Sequence, residues 1–143
     1  MEKEFAPYEL AVKLKALDYD EECFGYYHVN VGYTKGYAFC YFDKPKRFKD
    51  GFDLLVPTFS QAFRWFREKY NVRQNIMDFI DDEVGIEWDY EIATIGTDLD
   101  ENGNYKPLIE YSTDDENRKF KTYEEAELAC LEKLIEIVES KSE

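Results

Sequence analysis

The stretch TYEEAELACLEKLIEIVES, residues Thr122–Ser140, decides the fold class, because its apolar faces need the rest of the chain as cover. It opens on Thr122-Tyr123-Glu124-Glu125, the spacing of a capping box, in which Thr122 accepts from the amide three residues on and Glu125 reaches back to the N-cap amide. At 3.6 residues per turn, Tyr123, Ala126, Cys130, Leu134, Ile137 and Val138 form one stripe, with Leu131 beside it. Glu125, Glu132, Glu136 and Glu139 fall opposite. One side is core and the other is water.

A second helix opens at Pro57-Thr58-Phe59-Ser60-Gln61, again with capping-box spacing between Thr58 and Gln61, and runs to about Tyr70. Its stripe is Phe59, Ala62, Phe63, Phe66 and Tyr70, and Trp65 lies about 120° away from it. Residues Pro7–Leu17 read as a first helix, with Leu10, Leu14 and Leu17 on one side. Between the helices, Phe24–Val31 and Tyr37–Phe42 are rich in aromatic and β-branched residues and read as a hairpin around Gly32–Gly36. Asp43–Phe52 is a polar connection. Gly85–Ile95 and Tyr105–Ser112 read as two more strands joined through Asn102-Gly103, a strong turn signal. Arg73–Asp82 stays open, since a run as short as NIMDFI fits a helical turn or an extended segment. The order is α, then ββα, then ββα, which hints at a duplicated unit. The expectation is a single α+β domain over residues 1–143, with a mainly antiparallel sheet of about four strands and helices on one face.

A chain of 143 residues with 44% apolar and 17% aromatic residues can build a core and is not disordered in composition. Acidic residues outnumber basic ones 32 to 18, a net charge of −14, so the mean field repels phosphate backbones and anionic lipid. No direct nucleic-acid binding and no membrane association are expected. No run reaches the length of a membrane span, and MEKEFAPYEL lacks a basic start and an apolar region of a signal peptide, which points to the cytoplasm. Cys23, Cys40 and Cys130, with no CxxC, suit reduced thiols.

At Pro57, Gln61-Ala62-Phe63, Trp65–Lys69, Thr122–Glu127, Leu131 and Leu134-Ile135, the chain resembles a family of small proteins from phages and mobile elements of gut-type bacteria. Pro7–Ala11 and Cys23-Phe24-Gly25 carry the same likeness. The resemblance implies a phage or mobile-element setting and carries over no activity and no site residues.

Asp98-x-Asp100-x-Asn102-Gly103 matches the first half of a calcium loop, but position twelve would be Ile109, where a bidentate Glu is needed. The reading is a hairpin tip, and no bound metal is expected. His28 is the single histidine, which leaves a pairing with Cys23 or Cys40 as the imidazole-assisted nucleophile of a small hydrolase. No glycine pattern supports a nucleotide, and no cofactor is expected. Lys44, Lys46, Arg47 and Lys49 form a basic cluster with the bland reading of a solvated loop. Trp65, flanked by Arg64 and Arg67, has the residue types of an interface, against the competing reading that the indole completes the core. The leading functional expectation is a non-enzymatic interaction protein of a mobile element, binding a protein partner or a second copy of itself. The alternatives are an acidic inhibitor that mimics DNA charge and a small hydrolase using Cys-His chemistry or a metal.

Overall fold

The computed structural model describes residues 2–30, 36–46, 53–83, 85–112 and 120–141. The chain is α+β, and every strand pairing in it is antiparallel. Contacts gather into two compact units, Met1–Trp65 and Phe66–Glu143, the boundary falling inside one helix.

The first unit begins with a short 3-10 turn at Glu2–Glu4, then α1 (Tyr8–Ala16), β1 (Cys23–Asn30), β2 (Gly36–Lys46), β3 (Asp53–Val56) and the start of α2 (Phe59–Tyr70). Strand β1 is central, in the order β2-β1-β3. Pro7 caps α1 with extended dihedrals, and Leu10, Ala11 and Leu14 are buried. Asp18, at φ 65, turns the chain out of α1, and the Tyr19 amide donates back to the Leu14 carbonyl at 3.0 Å. That closure sets the Tyr19 ring 5.1 Å from Trp65. On β1, Cys23, Gly25 and Tyr27 face inward. Tyr27 meets Tyr8 edge-on at 5.6 Å and donates its hydroxyl to the Ala6 carbonyl at 3.3 Å. Phe5 packs on Phe39 at 4.9 Å over Gly25, and the neighbouring Ala6 amide donates to the Pro57 carbonyl at 3.0 Å.

The second unit holds the rest of α2, β4 (Val72–Asp81), β5 (Gly85–Leu99), β6 (Tyr105–Ser112) and α3 (Tyr123–Lys141). Its sheet is a simple meander, β4-β5-β6. Asn71, at φ 57, ends α2 and lets β4 start at once. Helix α3 lies on β5 and β4 and buries Ala126, Cys130, Leu131, Leu134, Ile135 and Val138.

Both capping boxes form. The Thr58 amide donates to Gln61 Oε1 at 3.0 Å and the Gln61 amide to Thr58 Oγ1 at 3.2 Å. At α3 the Glu125 amide donates to Thr122 Oγ1 at 3.1 Å, while Glu125 reaches one residue further back than expected, accepting from the Lys121 amide at 3.2 Å.

The sequence reading of one sheet of about four strands gives way, among the described residues, to six strands in two three-stranded sheets. Two strands account for the difference. Asp53–Val56 is a strand that pairs with β1, and the open segment becomes β4, fixed by ten consecutive pairs with β5. Strand β2 also runs to Lys46, past the expected end at Phe42. The two halves are not one repeated topology, because the first strand is central in one sheet and the second strand in the other. The turn at residues 31–35 and the basic segment from Arg47, with Lys49, lie outside the described residues; Lys44 is exposed on β2.

Candidate interaction surface

The β4–β5 hairpin carries the largest exposure of aliphatic side chains among the described residues. Ile80 and Ile86 sit directly opposite one another across the two strands. Their fractional exposures are 79% and 57%. Even-numbered residues of β5 share one face, and burial declines steadily along it: Ile92 is at 0%, Tyr90 at 2%, Trp88 is half-buried, and Ile86 is open.

Among the described residues, the cover over this face stops at Trp88. Phe120 forms an isolated bridge there, each backbone amide donating to the other residue's carbonyl at 2.8 Å, and its ring stacks on Tyr90 at 6.0 Å. Tyr123, in the first turn of α3, meets the Trp88 indole edge-on at 5.3 Å. Among the described residues, strand β6 pairs with β5 from Glu91 onward. Among the described residues, 79–83 and 85–87 therefore continue as a two-stranded arm, closed by the pair Asp81 and Gly85, where φ is +93 and the hairpin needs glycine.

The rim of the arm is acidic. Asp78 lies opposite Trp88 and is exposed, as are Asp82 and Glu83 at the tip and Glu124 on α3, while Glu127 is half-buried. Burial, together with repulsion from Glu124, raises the Glu127 carboxyl above its usual range, and a hydrogen bond with Tyr123 works in the opposite direction. The Tyr123 hydroxyl is raised as well, first by burial and then by the Glu127 charge. Lys121, next to Phe120, is an exposed cation on this side.

The site residues expected from sequence fall elsewhere. Trp65 is 3% exposed and packs on Tyr19, so the indole belongs to the core of its own unit and the interface reading of Trp65 does not hold. A helix face 120° from the main stripe is buried here because the chain leaving α1 turns back over it. Arg64 and Arg67 are exposed, and Arg67 Nη1 donates to Gln74 Oε1 at 3.3 Å.

In the β5–β6 tip, Asp100 Oδ1 accepts from the amides of Asn102 and Asn104, both at 2.9 Å, and Gly103 takes φ +84. This carboxylate oxygen holds the turn, as Asx turns do. The Asp98 side chain lies outside the described residues, and no three metal-ligating side chains converge among those described.

Cys23 and His28 are an odd number of residues apart on β1 and face opposite sides of the sheet, so they form no pair. Cys40 pairs with Tyr26 and His28 with Ala38, which puts Cys40 and His28 on one face at diagonal positions, a separation of about 7–8 Å that a short thiol spans poorly. Burial pushes the Cys23 thiol up to about 12, and burial also raises the Cys130 thiol; neither is a ready nucleophile. A cavity of about 30 Å³ between α1 and β3, lined by Leu14, Tyr19 and Leu54 among others, has room for little more than water.

No described helix is long and apolar enough to cross a membrane. Comparison with protein-family models, curated proteins and solved structures finds no match.

Proposed function

We propose that this protein is an interaction module of a phage or mobile element, and that it docks another protein on the β4–β5 arm. The observation that carries the reading is the cross-strand pair of Ile80 and Ile86, 79% and 57% exposed beyond the end of a covered face. Apolar side chains placed together at the end of a hairpin, rimmed by charge, have the make-up of a docking patch. The acidic rim of Asp78, Asp82, Glu83 and Glu124 favours a partner whose apolar surface is bordered by lysine or arginine. A net charge of −14 per chain works against a second copy in that role.

An acidic mimic of DNA has less support. Exposed carboxylates occur on α1 at Glu9, after α2's main stripe at Glu68, at both hairpin tips and along α3, with Lys13, Arg64, Lys69 and Arg73 among them. Glu125, Glu132, Glu136 and Glu139 make a single row along α3, and the others are spread over separate elements.

The test is affinity purification of the tagged full-length chain from the cells that produce it, beside the double variant Ile80→Ser, Ile86→Ser. Both residues are exposed, so the variant should keep its fold within about 0.5 kcal/mol per site. A stoichiometric partner retained by the native chain and lost by the variant supports the reading. Equal recovery by both would overturn it.

A further inference from the structure

We infer that the partner binds by strand addition: an extended segment, with a basic and an apolar side chain two residues apart on one face, pairs along the outer edge of β4. This rests on the interaction reading above and names its geometry. Strand β4 is an edge strand, since the sheet order is β4-β5-β6 and no described strand pairs with its other side. Its ladder with β5 runs from Val72 to Asp81 in ten successive pairs without a register shift, whereas the β5–β6 ladder shifts register twice. An unbroken ladder leaves the outer amides and carbonyls of β4 regularly spaced, the arrangement an added strand needs.

Edge strands are commonly blunted by proline, by a bulge or by lysine. Strand β4, VRQNIMDFID, has no proline, no lysine and no bulge. What it has is charge of one sign at its far end, Asp78 followed by Asp82 and Glu83, with Arg73 at its start. Two copies of β4 would join two chains of charge −14. Asp78 and Ile80 share one face of β4, so an added strand bearing lysine or arginine beside Asp78 meets attraction, and its apolar side chain two residues on reaches Ile80.

The probe is a synthetic peptide of about nine residues in which lysine and valine take turns at every second position, with threonine between them, long enough to span the arm. Its control is the same peptide with alternate amides N-methylated, which keeps charge and side chains but cannot complete a ladder. Binding is measured on the full chain, together with amide hydrogen exchange along β4. The expected result is slowed exchange at alternate amides of β4 with the first peptide, and binding weaker by about tenfold or more with the second. Equal binding of both, or binding without protection in β4, overturns strand addition and leaves the docking reading to the double-isoleucine variant. Failure of both peptides to bind overturns it as well. Protection of β4 that grows with concentration of the chain alone identifies a second copy as the occupant, and likewise overturns the inference.

Discussion

Replacing Gly25 with alanine inserts a methyl group where the first unit has no room. A Cβ built there lies 2.7 Å from Phe5 Cε1, 2.8 Å from Phe5 Cδ1 and 3.0 Å from Phe39 Cε2. Carbon atoms prefer separations of about 3.5–4.0 Å, so the Phe5 ring has to move. Phe5 is 6% exposed, with its ring 4.9 Å from that of Phe39, and its own backbone is bridged to Thr58. Gly25 cannot retreat either, because β1 is central and pairs it with Tyr41 on one side and Val56 on the other. Overpacking of this kind costs about 1–3 kcal/mol. Alanine recovers about 0.4–1 kcal/mol by restricting the unfolded chain. The net expectation is a loss of about 1–2 kcal/mol, a fall in Tm of about 3–8 °C for a chain of this size. Urea and thermal unfolding followed by circular dichroism measure it. The cause is isolated by Phe5→Leu, which opens space beside residue 25: it should cost less in the alanine background than in the native one. Strict additivity, or an alanine variant as stable as the native chain, would refute the close-contact argument.

Two further outcomes follow from burial. Trp65→Ala should destabilise by about 3–5 kcal/mol, as expected for a buried Trp emptied against Tyr19; unchanged stability in urea unfolding would show the ring is not core. Glu127→Gln should stabilise in a pH-dependent way. The native carboxyl is raised above its unfolded value, so the folded state holds the extra proton and stability falls as pH rises from about 4.3 through the native value. The gain from Gln should be absent at low pH, grow through that window and level off above it, and a difference flat in pH from 4 to 8 would contradict the assignment.

The helices were legible because their ends are written in side chains. Thr58 with Gln61, and Thr122 with Glu125, set two helix starts, and the 3.6-residue stripes then named most of the buried residues. The strands were harder for a physical reason. Leu54-Leu55-Val56 is a continuous apolar run with no alternation, so only its pairing with β1 makes it a strand. NIMDFI places apolar residues at both helical and strand spacings, and the ten-pair ladder with β5 decides between them. Trp65 stood open between interface and core because the wheel of one helix cannot show that Tyr19, distant in sequence, covers its flank, and burial decides for the core. The candidate arm was hidden for the same reason: Ile80 and Ile86 read as ordinary apolar residues until register and the end of the Phe120 and Tyr123 cover are known. The Cys23 and His28 pair could be excluded only once β1 was seen to begin at Cys23, because their odd spacing on one strand then separates them.

The two exposed isoleucines and the charge of the chain belong to one argument. Fully burying an Ile gains about 1.5–3 kcal/mol, and with Ile80 and Ile86 exposed by 79% and 57% the pair has only about 2–4 kcal/mol left to gain, at or below the low end of the roughly 4–15 kcal/mol that association costs in lost freedom. A partner must therefore add something else, and the arm offers two sources, the edge of β4 that no described strand pairs and the acidic rim. The same features left without a partner would invite pairing between copies, since an exposed apolar edge strand is a template for association. Mutual repulsion at a net charge of −14 opposes that pairing over distances of about a Debye length, 8–10 Å near physiological salt. Charge thus selects between the two uses of one edge, holding like chains apart while drawing a basic segment toward it.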